Sequence, residues 1–353
     1  MSYNKIIQQN LIILENEILN RIPLNESFNG KVSIVTHKNP DGDALGSSLG
    51  LYRLIKNMNI NVSVICPNDF PAFLSWMDNS SEIIIFEKNT ELAKEVIGTS
   101  DLLFCLDFNA LNRIDKLAEH VKSARAFKIL IDHHPDPEDF CDISISQISA
   151  SSTAELVYLY IRNTSLKKYL DRNIAESIFT GVMTDTGCFS FNSSNPDTFR
   201  VVAELLELGI HKDSIYSNVY DNYSENRMRL LGHSIANNMK VFYEYKTAYI
   251  IITKEEIEKY KFEIGDSEGF VNYPFSIKGI IFTALFTEKK DFVRISFRSK
   301  GDFSCNAFAR KHFQGGGHKN AAGGESPLPI QDVVKRFESL LGKYKNELNK
   351  PFI

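Results

Sequence analysis

Hydrophobic and polar residues in the first half of the chain form blocks of two alternating kinds. Within the first 25 residues, apolar residues recur every three or four positions, a spacing that predicts an amphipathic helix. Continuous apolar runs of strand length then begin near Lys31, Asn61, Asp101 and Ala126. The helical spacing returns between the first two of these runs, at residues 44–58. Strands that alternate with helices predict a parallel sheet with helical crossovers.

The second half of the chain begins with helical patterns and ends with strand patterns. Residues 153–162 and 174–184 each place apolar positions on one helix face, and the polar residues 197–237 also have helical spacing. Beyond Val241, short apolar runs predict strands at 247–253, 279–287 and 292–298. A glycine-rich loop and a final helix follow them. This order predicts a second α/β domain with a mixed sheet.

The change of pattern divides the chain into three parts. We predict an N-terminal α/β domain with a mainly parallel sheet flanked by helices at residues 1–195. A helical connector follows at residues 196–240, and a smaller C-terminal α/β domain at residues 241–353. The length of 353 residues is that of about two domains, enough to bury a core without disulfides or a structural metal.

The composition and the net charge exclude several classes of protein and of binding partner. The chain is 43% hydrophobic and 24% charged, as ordinary globular proteins are, which excludes a disordered or fibrous protein. Its net charge of −4 argues against a protein that coats duplex DNA, although a local basic cleft remains compatible with it. A homodimer is compatible with the exposed helical connector.

The spacing of the cysteines and the length of the apolar runs indicate where in the cell the protein is located. Five cysteines are widely spaced without a C-x-x-C pair, which favours buried free thiols in a reducing compartment. The opening residues are too polar for a signal peptide, and no apolar run approaches the roughly 20 residues that span a bilayer. We therefore expect a cytoplasmic protein with no membrane partner.

Acidic and histidine residues follow three of the predicted strands. They are His37, Asp41 and Asp43 after the first strand, Asp107 at the end of the third, and Asp132, His133 and His134 at the end of the fourth. The carboxyl ends of parallel strands share one edge of the sheet, where ligands bind. Asp185, at the end of a predicted helix, is a further candidate. We expect these residues to converge on one site.

Each residue also has a structural explanation when it is taken singly. Residues 39–42 suit a plain turn, Asp43 suits a helix N-cap, and Asp107 suits the start of a solvated turn. Convergence of all these segments favours a shared site instead. As possible metal ligands we count His37, Asp41, Asp43, Asp107, His133 and Asp185. Four carboxylates and two imidazoles without a thiolate suit Mn²⁺ or Mg²⁺ better than zinc, and they suffice for two ions. Paired divalent ions catalyse in-line displacement at phosphorus.

Several of these segments carry a family resemblance. Residues 37–47 (HKNPDGDALGS), 106–109 (LDFN), 132–134 (DHH) and 180–186 (TGVMTDT) resemble the four motifs of the DHH phosphoesterases. Residues 297–301, 306–310 and 315–324 (GGGHKNAAGG) resemble the DHHA1 substrate-binding domain. Together these motifs cover essentially the whole chain in the expected order. The chain is most similar to the NrnA-type nanoRNases, which also act as pAp phosphatases.

The resemblance implies a role for each candidate residue in the first domain. One metal ion would be held by His37, Asp41 and Asp107. A second would be held by Asp43, Asp107, His133 and Asp185, with Asp107 bridging the two. Asp132 would orient an imidazole, and His134 would contact the scissile phosphate or protonate the leaving oxygen. The implied cofactors are two divalent cations, with Mn²⁺ favoured and Mg²⁺ as the alternative.

The second domain contains a basic, glycine-rich stretch. Between Lys289 and Lys319 there are eight Lys or Arg residues against two acidic residues. Successive glycines let the backbone approach an anion closely. The candidate substrate contacts are Arg298, Ser299, Gly315, Gly316, Gly317, His318 and Lys319. In the first domain, residues 151–153 suit either phosphate contacts or a helix N-cap.

We therefore expect a two-metal phosphoesterase with its site in an interdomain cleft. Its expected substrates are short single-stranded oligoribonucleotides, cleaved to 5′-mononucleotides, and pAp, cleaved to AMP. Hydrolysis of cyclic di-AMP or pApA is the nearest alternative, followed by RecJ-like exonuclease action on single strands. An inorganic pyrophosphatase is disfavoured because that branch has a different C-terminal domain. A non-catalytic nucleotide-binding protein would be expected to lack a metal ligand, and all of them are present.

Overall fold

The computed structural model describes residues 30–350. The helix predicted within the first 25 residues lies outside them. The chain forms two compact units that divide between Asn222 and Tyr223. Among residues 30–350, no helix is both long enough and apolar enough to cross a membrane.

The first unit contains six strands and seven α-helices among its described residues. The strands are β1 (Lys31–Thr36), β2 (Asn61–Cys66), β3 (Ile84–Ile85), β4 (Leu102–Leu106), β5 (Phe127–Asp132) and β6 (Ile143–Ser146). The helices are α1 (Gly42–Asn57), α2 (Thr90–Gly98), α3 (Ala118–Ser123), α4 (Thr153–Arg162), α5 (Arg172–Asp185), α6 (Pro196–Glu207) and α7 (Lys212–Tyr220).

The sheet of the first unit is entirely parallel. Its strand order is β3-β2-β1-β4-β5-β6, and every neighbouring pair is parallel. The connections therefore reverse direction between β1 and β4. In an open parallel sheet, ligands bind beside the carboxyl ends of the strands at such a reversal. His37 follows β1 directly and Asp107 follows β4, so both begin loops at the reversal point.

Both faces of this sheet are covered, as its apolar strands require. Side chains alternate between the faces, so that Phe104 lies in one apolar cluster and Cys105 in the other. The first cluster includes residues of α1, α4 and α5, and the second includes residues of α2 and α3. A parallel strand buried on both faces reads as a continuous apolar run, which is why the sequence predicted β1, β2, β4 and β5.

Helices α1 and α5 approach each other closely because glycines face the contact. A Cβ atom on Gly46 would lie 2.5 Å from the carbonyl oxygen of Ser177. One on Gly181 would lie 2.5 Å from Cβ of Ala154, in α4, and 3.0 Å from Oδ1 of Asp43. Real Cβ atoms do not make such contacts, so larger residues would push the three helices apart. The close packing sets the position of Asp43.

The second unit contains a mixed sheet with the order β11-β12-β10-β9-β8-β7. Its strands are β7 (Met239–Phe242), β8 (Thr247–Ile252), β9 (Phe282–Glu288), β10 (Val293–Ser299), β11 (Gly316–His318) and β12 (Ala321–Ser326). Strands β8 and β9 are parallel, and the other pairs are antiparallel. The helices are α8 (Glu225–Asn237), α9 (Lys254–Lys259), α10 (Cys305–His312), α11 (Ile330–Leu341) and α12 (Lys345–Leu348).

The predicted fold class is confirmed. The sheet of the first unit is parallel and flanked by helices, and the sheet of the second is mixed. The predicted helix at 153–162 has the observed bounds of α4, and the helical residues 197–237 form α6, α7 and α8. Of these three, α6 and α7 belong to the first unit and α8 to the second. The predicted domain limits themselves stay a prediction.

Candidate active site

The loops after β1 and β4 bring a histidine and an aspartate together. Nε2 of His37 lies 3.2 Å from Oδ2 of Asp107. Asp107 has a φ of +64°, a left-handed conformation that turns the chain immediately after the strand. Its backbone N–H still donates to the carbonyl of Ile131 in β5, at 3.1 Å. Both side chains are buried, at 6% and 2% exposure, so their mutual contact replaces solvent.

The two aspartates at the start of α1 have different surroundings. Asp41 is the N-cap, and its Oδ1 accepts from the backbone N–H groups of Asp43 and Ala44. Asp43 itself is buried, and its carboxylate accepts from the N–H groups of Thr153 and Ala154, at 2.7 and 2.8 Å. These donors form the first turn of α4, so the N-terminus of one helix holds an acid of another. The N-cap explanation therefore applies to Asp41, not Asp43.

His133 lies at the centre of the carboxylates. Its Nε2 lies 3.6 Å from Oδ2 of Asp185, 3.7 Å from Oδ1 of Asp107 and 3.8 Å from Oδ2 of Asp43. Its Nδ1 lies 3.4 Å from the carbonyl oxygen of Ala150. A carbonyl accepts only, so in the neutral ring this contact favours the proton on Nδ1 and leaves Nε2 facing the carboxylates.

Asp132 holds His134 in place. Nδ1 of His134 lies 2.8 Å from Oδ1 of Asp132, and the backbone N–H of His134 donates to Oδ2 at 3.1 Å. Asp132 is fully buried, so these donors satisfy a carboxylate that has no access to water. The carboxylate fixes the ring orientation of His134.

Burial and crowding of charge shift the pKa values of the acids in opposite directions. Burial and the neighbouring carboxylates of Asp107, Asp185 and Asp41 raise the pKa of Asp43 well above its usual value. Burial and Asp107 raise the pKa of Asp132 to about 6. The pKa of Asp107 is lowered despite its burial, because His37 donates a hydrogen bond to it and the other imidazoles lie near it. Like charges therefore crowd this site.

The arrangement of donor atoms fits divalent cations. One group of three possible ligands contains His37, Asp41 and Asp107. A second group contains Asp43, Asp107 and His133, so Asp107 belongs to both, and it also forms a third group with Asp132 and His134. Within each group the ligand atoms lie within 4.8 Å of one another. Carboxylate oxygens and neutral imidazoles are ligands for Mn²⁺ and related ions, and a bound cation would relieve the repulsion among the carboxylates.

The structure also shows contacts beside the site that the sequence reasoning had not identified. The hydroxyl of Thr153 donates to Oδ1 of Asp107 at 2.8 Å. Ser152 is the N-cap of α4, which confirms the capping explanation for that residue. Glu155 is fully buried, and its Oε2 accepts from the N–H and hydroxyl of Ser151 and from the hydroxyl of Thr198. The signal was the Ser152-x-x-Glu155 spacing, which is typical of a helix start.

The candidate substrate contacts of the second unit lie at one end of its sheet. Arg298 and Ser299 end β10, and Arg298 is paired in register with Ala321, which also pairs with His318. The side chain of Ser299 donates to the carbonyl of Phe303 and accepts from Asn320 at 2.8 Å. Gly316–His318 form β11, whereas Nζ of Lys319 pairs with Asp302, an exposed residue.

Gly315 and Gly317 are required by close backbone contacts. A Cβ atom on Gly315 would lie 1.9 Å from the carbonyl oxygen of Gly323. Gly317 has a φ of +141°, and a Cβ atom there would lie 2.5 Å from the carbonyl oxygen of Ala321. Glycine therefore lets β11 lie against β12 at this end of the sheet.

Comparison with known proteins shows the family. Residues 31–182 match the N-terminal domain of the DHH family, and residues 238–348 match the DHHA1 domain. The crystal structure of an exopolyphosphatase-related protein from Bacteroides fragilis is 45% identical to the chain, with a TM-score of 0.90. The alignment covers 97% of this chain and 98% of that one. The chain belongs to the DHH/DHHA1 family. The predicted resemblance is thus confirmed, and the protein is a phosphoesterase.

Other similar proteins are more distant in sequence. The bifunctional oligoribonuclease and PAP phosphatase NrnA of Thermus thermophilus is 28% identical, over 92% of each chain. NrnA of Bacillus subtilis is 27% identical, over 88% of this chain and 92% of its own. Manganese-bound RecJ of Thermus thermophilus shares the fold, with a TM-score of 0.56 and 12% identity, over 98% of this chain and 55% of its own.

Proposed function

We propose that this phosphoesterase hydrolyses short oligoribonucleotides to 5′-mononucleotides and pAp to AMP. The observation on which the proposal rests is that Asp107, at the reversal point of the parallel sheet, is shared by two groups of possible metal ligands, one with His37 and Asp41 and one with Asp43 and His133. Two of the similar proteins are named bifunctional oligoribonuclease and PAP phosphatase, and their similarity extends over most of the chain.

We assign the metal-holding residues to two groups that share one carboxylate. His37, Asp41 and Asp107 would hold one divalent cation, and Asp43, Asp107, His133 and Asp185 the other. Bound cations at such sites activate water as a nucleophile and neutralise the charge that develops at phosphorus. Each group includes one imidazole, which favours Mn²⁺ over Mg²⁺, since Mg²⁺ prefers oxygen ligands.

The residues around the ligands have positioning roles. The first turn of α4 holds Asp43 through two N–H groups and Asp107 through the hydroxyl of Thr153. His134, fixed by Asp132, contacts the scissile phosphate or gives a proton to the leaving oxygen. Burial and Arg113 lower the pKa of His134 well below its usual value, which favours the neutral ring when no ligand is bound. The proton-donating role therefore requires that the ring gain a second proton when the substrate binds.

Binding of the nucleotide is assigned to the second unit. Arg298 offers a guanidinium for bidentate contact with a phosphate, and the N–H groups of Gly315–Gly317 can cup an anion. His318 can stack on a base or hydrogen-bond to it, and Lys319 adds positive charge. These groups recognise phosphate and base rather than a long polymer, which suits a short linear substrate.

The experiment is a comparison of product release from four substrates. Purified protein is incubated with pApA, pAp, a pentaribonucleotide and cyclic di-AMP, each with Mn²⁺, Mg²⁺ or EDTA, and products are separated by chromatography. We expect mononucleotides from the pentaribonucleotide and AMP from pAp with Mn²⁺, and no turnover with EDTA. Cleavage of cyclic di-AMP alone would support the alternative substrate class. No turnover on any of the four with Mn²⁺ would refute the proposal.

A cytoplasmic location is part of the proposal. All five cysteines are free thiols. Free thiols, three of them buried in the protein, are typical of proteins in reducing compartments.

A further inference from the structure

A tightly wound loop, residues 186–193, follows Asp185 and connects α5 to α6. Three consecutive residues in it, Gly187, Cys188 and Phe189, have φ values of +53°, +54° and +64°. Residues other than glycine adopt this left-handed conformation only where the surrounding contacts hold them in it. The conformation of the loop is therefore set by specific contacts, directly beside a proposed metal ligand.

Thr186 supplies most of these contacts. Its carbonyl accepts from the backbone N–H groups of Ser190 and Phe191, both at 2.9 Å, and its hydroxyl oxygen accepts from the N–H of Phe189 at 3.0 Å. The side chain of Phe189 packs against the apolar core of the first unit, where its ring centroid lies 6.2 Å from that of Phe179. The loop is thus wound around its first residue and anchored in the core.

The side chain of Phe191 is placed differently from that of Phe189. Phe191 is 41% exposed, and one edge of its ring lies against Gly187. A Cβ atom on Gly187 would lie 2.8 Å from Cδ2 and 3.0 Å from Cε2 of this ring. Single exposed apolar residues are common on protein surfaces and by themselves indicate nothing. Here, however, the ring rests on a glycine two residues beyond Asp185, in a loop whose backbone is fixed.

The residue that follows Phe191 is joined to the other side of the proposed metal site. Nδ2 of Asn192 donates to the carbonyl oxygen of Ala150 at 3.3 Å. The same oxygen lies 3.4 Å from Nδ1 of His133, a second proposed ligand. Phe191 is therefore flanked by contacts to two proposed ligands, Asp185 through the chain and His133 through one carbonyl. An exposed aromatic ring is held at the edge of the site.

We infer that Phe191 is a stacking platform for the base of the nucleotide whose 3′ oxygen is bonded to the scissile phosphorus. The inference rests on the proposed function, in which both reactions separate phosphorus from a 3′ oxygen. Because pAp contains a single base, the same platform serves both substrates. Aromatic side chains bind nucleotides of any sequence by stacking, since every base has a π face. Such a contact suits short substrates of varied sequence.

The test compares pAp with 1-deoxyribose 3,5-bisphosphate, an analogue that keeps both phosphates and lacks the base. Phosphate release with Mn²⁺ is measured for Phe191→Ala, Phe191→Leu, Phe191→Tyr and the unsubstituted protein. We expect the KM for pAp to rise about 5- to 150-fold in the Ala and Leu variants, the range that corresponds to one lost stack, with kcat nearly unchanged. Phe191→Tyr keeps the aromatic face and should keep the KM. The KM for the analogue should be the same in all four proteins.

A matched control and a metal titration exclude a merely structural role. Phe292 is 37% exposed and lies between β9 and β10, at the opposite end of β10 from Arg298. Phe292→Ala should leave the KM for pAp unchanged. If Phe191 only supported Asp185, its loss would weaken Mn²⁺ binding, measured by calorimetry, and would impair cleavage of pAp and of the analogue equally. That result would overturn the inference, as would an unchanged KM for pAp in both the Ala and the Leu variants.

Binding of AMP separates failure of this inference from failure of the proposed function. AMP keeps the base and is the product of pAp cleavage. Calorimetry with Mn²⁺ should show that Phe191→Ala binds AMP about 5- to 150-fold more weakly than the unsubstituted protein does. If that loss of affinity were seen but no phosphate were released from pAp, the proposed function would fail and the platform would stand. Normal cleavage of pAp with equal AMP affinity in the two proteins would overturn the platform alone.

Discussion

The hydroxyl of Thr153 donates a hydrogen bond to Oδ1 of Asp107, at 2.8 Å, while its backbone N–H donates to Oδ2 of Asp43, at 2.7 Å. One residue at the start of α4 therefore holds two of the proposed metal ligands, which come from different segments of the chain. The hydroxyl bond depends on the side chain, whereas the N–H bond does not. The two contributions can be separated by substitution.

Thr153→Val removes the hydroxyl and keeps both the shape of the side chain and the backbone N–H. We expect the affinity for Mn²⁺, measured by calorimetry, to fall about 10- to 100-fold, because partners of metal ligands contribute on that scale. Thr164→Val is the control, since its hydroxyl donates to carbonyls at the other end of the same helix. Equal effects of the two substitutions on Mn²⁺ affinity would contradict a positioning role for Thr153.

Asp107 is the carboxylate shared by the two groups of ligands that we assign to metal ions. Asp107→Ala should remove both cations from the site and lower turnover by more than about 100-fold, beyond the range typical of residues that only support a ligand. Calorimetry should show no tight Mn²⁺ site. Asp101→Ala is the control, because Asp101 lies just before the other end of the same strand and accepts from the N–H of Lys31. Near-normal turnover of Asp107→Ala would show that the bridging assignment is wrong.

The ends of the buried strands could be predicted from sequence, and the contacts behind them could not. Asp107 and Asp132–His134 stand out because each ends a run of apolar residues that only a buried strand explains. Nothing in the pattern distinguishes Thr153 from an ordinary residue at a helix start, since its contacts join residues 46 and 110 positions apart in the chain. Such contacts depend on how α1 and α4 pack, which local periodicity does not encode.

The shorter strands were missed for a different reason. Strand β3 has only two residues, and β11 consists of two glycines and a histidine. Neither strand is long enough to show an alternation of apolar and polar residues. Glycine also disfavours a strand, except where two backbones must approach each other closely. Here that approach is the contact between Gly317 and the backbone of Ala321. The formation of β3 and β11 therefore depends on pairing with the neighbouring strands.

Asp132 should make the stability of the metal-free protein depend on pH. Its pKa is raised from 3.8 to about 6 in the folded protein by burial and by Asp107. The folded state therefore favours the protonated acid. Ionisation of this acid therefore lowers the free energy of unfolding. The loss is absent below about pH 4, grows between about pH 4 and 6, and reaches its full value of about 3 kcal/mol above about pH 6.

The amide side chain of the Asp132→Asn variant cannot ionise, so this loss of stability should disappear. We expect the free energy of unfolding of the variant, relative to the unsubstituted protein, to rise by about 3 kcal/mol between pH 4 and pH 7. Urea denaturation in EDTA at four pH values measures the difference. Asp142→Asn, at an exposed acid that accepts from the N–H of Lys128, is the control. Parallel pH profiles for Asp132→Asn and the unsubstituted protein would contradict the assignment.

Glu155 ties the loop before α4 to helix α6. Its carboxylate accepts from Ser151 and Thr198 and is fully buried. Glu155→Ala would leave these donors without a partner, and we expect the free energy of unfolding to fall by about 3 kcal/mol. Glu155→Gln retains one acceptor oxygen and should lose less. Glu207→Ala, at an exposed acid that ends α6, should change stability by under about 0.5 kcal/mol. Urea denaturation measures all three variants.

Removal of the cations should expose the repulsion among the site carboxylates. Asp185 raises the pKa of Asp43 by its charge, and its Oδ2 lies 3.6 Å from Nε2 of His133. Asp185→Asn removes one of the crowded negative charges. In EDTA we therefore expect this variant to unfold at a higher temperature than the unsubstituted protein. With saturating Mn²⁺ the order should reverse, because a lost ligand weakens binding, and a cation at 100 times its Kd stabilises by about 2.7 kcal/mol.

The change of sign in the unfolding-temperature difference, between EDTA and Mn²⁺, distinguishes a metal ligand from an acidic residue with only a structural role. If Asp185 only stabilised the fold, Asp185→Asn would lower the unfolding temperature both with EDTA and with Mn²⁺. If it only repelled Asp43, the variant would be more stable under both conditions. Asp197→Asn is the control, because Asp197 lies in the first turn of α6 and pairs with Arg200 rather than with the site. Its effect should be the same with and without Mn²⁺. Thermal unfolding followed by circular dichroism distinguishes these outcomes. The stability gained from Mn²⁺ depends on the charge of Asp185 only if Asp185 is itself a metal ligand.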